Sequence, residues 1–289
     1  MKYYKADTFA AAYQAALYDV FHTPEYETCP RDMEIREWTN VQLEFNPRHS
    51  LYSNLRRSSQ LRYIAAELLW YFSGRNDVGF ISRFAKFWES LDNGDGTVNS
   101  AYGHLIFKEP NQYGRTEWDW LMNSLLADQD TRQAVIHFNK PSHQRDGNRD
   151  FVCTLTGTFQ IREDRLNLKV HMRSNDMILG TPTDVAFFCL LQEQVLSLLK
   201  DKYPSLRLGT YVHEVDSLHI YERHFGLVDE MLMGEFKPLS MPTIGDDLVA
   251  LGGSPSPIVL GMINEIEKMG RLSQPTDPLF NWIASQINT

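Results

Sequence analysis

The chain has 289 residues, 43% of them hydrophobic, which supplies enough apolar side chain for a substantial core. A formal charge of -9 at pH 7 excludes a surface built mainly to grip duplex DNA, which needs clustered Lys and Arg to displace counterions, yet leaves room for a small anion held by a few arginines. Cys29, Cys153 and Cys189 are an odd set without paired spacing, so neither a disulfide framework nor a cysteine zinc site is indicated.

No stretch approaches the roughly 18 uninterrupted apolar residues of a membrane span, so the expected compartment is the cytoplasm and no membrane partner is implied. No repeat or low-complexity tract interrupts residues 1–289, which predicts one domain. In chain order, Arg36 to Phe45 alternates and runs into Asn46-Pro47-Arg48, which predicts a strand and a turn. From Gln60 to Phe72, the residues Leu61, Ile64, Ala65, Leu68, Leu69 and Phe72 recur at helical spacing until Ser73-Gly74, which predicts a buried helix. Asp92-Asn93-Gly94-Asp95-Gly96 has glycines where a calcium loop needs oxygen ligands, so it reads as a plain turn and no metal is implied. Ala134 to Phe138, Phe151 to Ile161 and Leu166 to Met172 are expected to be neighbouring strands, with Asp164 in the turn between the last two. Thr181-Pro182-Thr183-Asp184 opens an apolar helix to Leu199, with Thr181 as its cap and Pro182 at the first helical position. A strand over Leu208 to Glu214 and a helix over Leu218 to Met233 follow. A long loop over Lys237 to Pro257 then leads to a C-terminal extension, 258–289, that starts with a helical segment over Ile258 to Gly270.

Cys153, within Asp150-Phe151-Val152-Cys153-Thr154-Leu155 and expected on a strand, reads by itself as a small buried hydrophobe. Twenty residues on, Arg173-Ser174-Asn175-Asp176 sets a cation, a hydroxyl, an amide and a carboxylate in succession just before Met177-Ile178-Leu179-Gly180. Such groups are costly beside a core unless they bind a ligand or one another. A guanidinium suits a phosphate and Gly180 would let a ligand approach the backbone; a surface loop with an Arg to Asp ion pair is the alternative. His137, His143, His171 and His213 show no metal-ligand spacing and read as structural or solvated.

His171-Met172-Arg173-Ser174-Asn175-Asp176 to Gly180, preceded by Cys153 and followed by Asp184 on a long apolar helix, resembles the nucleotide-binding signature of the thymidylate synthase superfamily. Glu67-Leu68-Leu69-Trp70, Trp88 with Tyr102-Gly103, Asp130-Thr131-Arg132 and His219-Ile220-Tyr221 resemble further motifs of that family, in consistent order between Gln60 and Phe225. The resemblance implies a mixed α/β (α+β) fold, a large mixed sheet covered by helices, in a homodimer packed through back-to-back sheets. It implies an enzyme that transfers one carbon from 5,10-methylenetetrahydrofolate to C5 of a pyrimidine nucleoside monophosphate, with Cys153 adding to C6 so that C5 becomes nucleophilic. On the same ground Glu67 is the proton shuttle, through ordered water; Tyr102 assists proton removal at C5, and Asp176 orients the folate or its water. Arg173 and Ser174 would hold the phosphate together with Arg132 from the partner subunit. His219 and Tyr221 would hold the sugar 3'-hydroxyl, and Trp88 and Gly180 would join Asp176 on the folate side.

The departures bear on substrate. The family reads uracil with an Asn where this chain has Asp184. An ionised carboxylate only accepts hydrogen bonds, so Asp184 predicts the amino edge of cytosine rather than the carbonyl edge of uracil; its plainer role is a carboxylate at a helix N-terminus. Thr154 replaces the His after the nucleophile, Val152 the Pro before it and Leu91 a second Trp. In these motifs the chain is similar to phage deoxycytidylate hydroxymethylases, in which water rather than hydride completes the reaction. The substrate implied is dCMP, with CMP as the alternative. The rivals are a thymidylate synthase or cytidylate methylase of the same fold, and a catalytically silent nucleotide- or RNA-binding homologue. Gln133 stands where a second phosphate arginine is common, with Arg36 or Arg48 as candidate replacements. The last residues, Asn281 to Thr289, do not match the family's folate-closing tail.

Overall fold

A computed structural model describes residues 1–289. In chain order the elements are β1 (Lys2–Lys5), α1 (Phe9–His22), β2 (Tyr26–Thr28), β3 (Ile35–Phe45), β4 (Leu51–Ser53), α2 (Leu61–Phe72), α3 (Val78–Ile81), α4 (Tyr102–Phe107) and α5 (Glu117–Ala127). They continue with β5 (Val135–His137), β6 (Thr154–Arg162), β7 (Arg165–Met172), β8 (Asn175–Asp176), α6 (Thr181–Leu199), β9 (Arg207–Tyr221), α7 (Phe225–Leu232), β10 (Lys237–Leu239), α8 (Pro257–Met269) and α9 (Pro278–Ile287).

An 8-stranded sheet in the order β1-β3-β9-β7-β6-β5, with β2 beside β3 and β8 beside β9, forms the frame. It is mixed: β1 with β3 and β7 with β9 are parallel, whereas β3 with β9 and β5, β6 and β7 among themselves are antiparallel. Strand side chains alternate between faces, and one face is apolar except for the buried His213: Val41, Leu43 and Phe45, Leu168, Val170 and Met172, and Tyr211 and Val215 are buried on it. That face receives α1 and α6. The opposite face is polar and half-buried, with Lys169 paired to Glu214 at 2.6 Å and His171 to Asp216 at 2.8 Å. The apolar core runs without a break from Phe9 to Ile287, and no helix is long and apolar enough to cross a membrane.

Helix α2 is buried at every position from Ile64 to Phe72, Glu67 included, because α4, α6, α8 and α9 all pack against it. The C-terminal extension thus supplies two helices that back the glutamate-bearing helix. The turn between β6 and β7 places Glu163 and Asp164 at positive φ, 52° and 56°, the geometry of a two-residue hairpin, and β5, β6 and β7 are neighbours as expected.

Four expectations need correction. The strand expected from Phe151 begins only at Thr154, since Arg173 N reaches back to Cys153 O at 2.9 Å and the register slips between Thr154 and Thr156; Cys153 therefore stands just ahead of β6, at a bulge. The helix expected over Leu218 to Met233 is present only as α7, from Phe225, and its first residues are the end of β9: buried Leu218 and Ile220 alternate with His219 and Tyr221 and pair with β3 on one side, while β8 adds itself to the other. The cap of α6 is Gly180 rather than Thr181, whose hydroxyl instead donates to Asn175 Oδ1 at 2.7 Å. The long loop after Lys237 holds β10, paired with β4. It is further pinned by Gln194 of α6, which donates to Val249 O at 2.9 Å and accepts from Leu248 N at 2.7 Å.

Candidate active site

Three segments converge on Cys153. Asp150 joins the chain ahead of the cysteine to that ahead of α4: it accepts from Ser100 N at 2.6 Å and from the Ser100 hydroxyl, and Asn99 donates to Asp150 O at 2.8 Å. The Arg173 guanidinium, at the end of β7, donates to Val152 O at 3.1 Å and to Phe151 O, and lies 3.5 Å from the Cys153 sulfur. Burial pushes the thiol up, and the Arg173 charge opposes that shift. Arg173 thereby has a structural hold on the segment that carries Cys153 as well as a free edge for an anion.

Glu67 and Asp184 sit close enough to each other and to Tyr102 for their charges to interact. Burial raises Glu67 to about 8, although Tyr63 donates to its Oε1 at 2.5 Å and Tyr71 at 3.3 Å. Both phenols use one oxygen, which leaves Oε2 without a protein partner. Near neutral pH this is a proton-loaded acid, suited to general acid and base work. Trp88 Nε1 donates to Tyr63 Oη at 2.9 Å, which ties the Trp88 wall to the Glu67 cluster. Asp184 is pushed up to about 7 by burial, against the hydrogen bonds of Asn175 and Tyr102. It caps no helix N–H; its Oδ2 accepts from Asn175 Nδ2 at 2.7 Å. Tyr102 stacks on Tyr71, with ring centroids 5.3 Å apart, and burial with the Asp184 charge holds its phenol protonated far up the scale. Any part it takes in proton removal is therefore that of a hydrogen-bond donor.

Asp176 faces His219 across the β8 and β9 pairing. Its Oδ1 accepts from Ile178 N at 2.7 Å and Leu179 N at 3.3 Å, which shapes the turn into Gly180. A Cβ at Gly180 would lie 2.8 Å from Asn175 Nδ2 and 3.4 Å from Asp184 Oδ2, so what occupies the space over this glycine is the chain's own amide and carboxyl. His219 is buried and its ring meets Tyr221 edge-on at 5.0 Å. Ser174 is half-buried between β7 and β8. Arg132 is exposed and makes no hydrogen bond or ion pair within the chain.

Sequence reasoning missed five contributors. Arg31, exposed and on left-handed backbone at φ 54°, is a second cation whose charge lowers the Cys153 thiol. Arg36 and Arg48 are committed elsewhere: Arg36 pairs with Glu27 at 3.0 Å and stacks on Phe225, and Arg48 pairs with Glu193 at 3.5 Å. Tyr63 and Tyr71 flank Glu67 at one helical turn on either side in sequence, a spacing that could have flagged them. Asn175 stands inside a recognised motif without an assigned role, and His213, expected to be structural or solvated, is buried and meets it at 2.9 Å.

The family model for thymidylate synthase matches residues 11–247. The deoxycytidylate 5-hydroxymethyltransferase of Enterobacteria phage T4 is 34% identical over 174 residues, 58% of this chain and 70% of its own. The deoxyuridylate hydroxymethyltransferase of Bacillus phage SP01 is 30% identical over 241 residues, 76% of this chain and 60% of its own. The thymidylate synthase of Bacillus licheniformis is 29% identical over 163 residues, 55% of this chain and 56% of its own. A match over most of the chain, laid on a mixed sheet that brings Cys153, Arg173, Glu67 and Asp184 into one charge-coupled site, means that this protein belongs to the thymidylate synthase family of one-carbon transferases.

Proposed function

We propose that the protein hydroxymethylates C5 of a cytidine monophosphate, dCMP in preference to CMP. The observation that carries this reading is Asp184: a carboxyl that no cation faces, fixed by an amide donor on one oxygen, within charge range of the nucleophile Cys153. A carboxylate has lone pairs beyond those that Asn175 and Tyr102 engage, and these offer an acceptor to an exocyclic amine, which cytosine has and uracil lacks. The relative named for deoxycytidylate supports the same choice.

In this reading the Cys153 sulfur adds to C6, which makes C5 nucleophilic. Arg173, Arg31 and Ser174 hold the phosphate, Arg132 joins them from a partner subunit, and His219 with Tyr221 holds the sugar. The absence of any bond to Arg132 within the chain suits donation across a homodimer formed by the polar sheet faces. 5,10-Methylenetetrahydrofolate would supply the carbon at the oxidation level of formaldehyde. The residues fit it: Trp88 is a wall whose indole is fixed by Tyr63, Asp176 keeps Oδ2 free, and Leu179 is exposed beside them. Glu67, neutral at rest, delivers and removes protons through water and directs one water to the new carbon. Tyr102 steadies that water, and Leu91 in place of an indole leaves room for it.

A second reading is favoured by the raised Asp184, pushed up to about 7: protonated, it would donate to O4 of uracil, and one relative is named for deoxyuridylate. Incubation with dCMP, CMP and dUMP, each with the folate, followed by mass analysis of the product separates these. Hydroxymethyl cytidylate supports the proposal. A methylated product with dihydrofolate formed, or turnover of dUMP alone, overturns it.

A further inference from the structure

Beside Asp184 lies a chain of polar groups to which the proposed reaction assigns no part. Asp184 Oδ2 meets Asn175 Nδ2 at 2.7 Å; Asn175 Oδ1 meets His213 Nε2 at 2.9 Å; His213 Nδ1 meets Tyr211 Oη at 2.9 Å. Asp184 is half-buried and open to a ligand, whereas Asn175, His213 and Tyr211 are buried. Burial holds His213 down at about 3, so its ring is neutral and carries one proton.

Three proton arrangements are open to this chain. With Asp184 ionised, Tyr211 donates to His213 Nδ1, His213 Nε2–H donates to Asn175 Oδ1, and the Asn175 amide donates to the carboxylate. Thr181 adds a second donor to Asn175 Oδ1 at 2.7 Å. Every buried group is then satisfied. With Asp184 protonated and donating toward Asn175, the amide flips, His213 takes the other tautomer and donates to Tyr211 Oη. The Tyr211 hydrogen then has nowhere to go, because His213 is its sole partner. An unpaired buried donor biases the equilibrium against that arrangement by about tenfold or more. With Asp184 protonated on its other oxygen, Asn175 still donates to Oδ2, but to a neutral carbonyl rather than a carboxylate, so the bond loses its charge assistance and again favours the ionised form.

We propose that Asn175, His213 and Tyr211 form a directional hydrogen-bond relay that holds Asp184 as an acceptor, and that this relay sets the preference between cytosine and uracil. The three act through Asp184 and are positioning residues. The inference rests on the reading that Asp184 faces the base. Position 180 fits it, since only glycine lets the Asn175 amide approach so near. The other titratable groups facing Asp184 are Glu67, Tyr63 and Tyr71 from α2, Tyr102 from α4, Cys153 ahead of β6 and Tyr211 itself. None is a cation, so protonation is opposed by neutral donors alone, the Asn175 amide at the end of the relay first and the Tyr102 phenol second.

The test is the ratio of kcat/KM for dCMP over dUMP, followed from pH 5.5 to 9.5 in the intact protein, Asn175→Ala and Tyr211→Phe. Cys153 and Glu67 act on both substrates, so the ratio isolates Asp184. In the intact protein the ratio should rise with pH as Asp184 ionises. Asn175→Ala should lower it at pH 7 at least about tenfold and move its midpoint to higher pH; Tyr211→Phe, nearly isosteric and expected to fold even if the first variant does not, should do the same by about three- to tenfold. Recovery of the ratio at pH 9.5 marks positioning rather than damage. Equal losses on both substrates, or an unmoved midpoint, overturn the relay. A preference of the intact protein for dUMP defeats the base reading instead, and the midpoint in Tyr211→Phe still decides whether the relay holds.

Discussion

The two sides of this site hold charge in opposite ways. On the nucleophile side, Arg173 is half-buried and Arg31 exposed, and both charges reach the Cys153 sulfur. On the base side, Glu67 and Asp184 have only phenols and an amide for company, no salt bridge, and are raised to about 8 and about 7. Solvent and phosphate can answer the cations, but only neutral donors answer the carboxyls. The lesson is that, in the proposed function, desolvation makes the proton-handling half of the site, while cationic charge makes the half that binds and activates.

The largest expected effect tests whether the cationic side holds the nucleophile. Cys153→Ala should reduce turnover by about 10⁴-fold or more and leave nucleotide binding within about threefold, measured by calorimetry. Retained turnover would remove Cys153 from the role of nucleophile. Next, Glu67→Gln should cost about 10²- to 10⁴-fold in kcat. It also separates the two halves by stability. The folded chain keeps a proton on Glu67 that the unfolded chain releases above about 4.5, so this group makes stability fall as pH rises from there to about 8. The Gln variant should lose that decline and, at pH 8, be more stable by about 2–4 kcal/mol in urea melts. A variant with the same pH slope as the parent breaks the claim that Glu67 rests protonated.

A smaller effect belongs to Arg173→Gln: KM for nucleotide should rise about 10- to 100-fold, and alkylation of Cys153 by iodoacetamide should need higher pH, since a group that lowers the thiol is gone. Gly180→Ala sharpens the base side. Its Cβ would press on Asn175 Nδ2 at 2.8 Å, so a loss of about 1–3 kcal/mol in stability and a lower dCMP to dUMP ratio are expected. The smallest change is that of Arg31→Ala, a rise in KM of about two- to fivefold that disappears at high salt.

Motif-bearing segments were legible because their signals are local. The periodicity from Leu61 to Phe72 marked α2, β-type runs marked β5 to β7, and Cys153, Arg173 and Asp184 stood in order along the chain. Other features were read wrongly for reasons that are not local. Leu218 to Tyr221 allows a helical reading in isolation, and becomes strand because β3 and β8 supply partners on both edges. Arg36 had the right charge for a phosphate, but Glu27 and Phe225 had already taken it.

By itself, then, the sequence determined which residue types the site would contain and roughly which elements would carry them, since motif spacing and side-chain periodicity travel with the chain. Tertiary structure alone decided what those residues became. Asn175 and His213 are 38 positions apart and meet only because β7 and β9 run parallel, with β8 laid beside the end of β9. Glu67 is an ordinary glutamate until the helices packed around α2 remove its water. Desolvation and hydrogen-bond partnership depend on what surrounds a group in space, and no window of neighbouring residues contains that information.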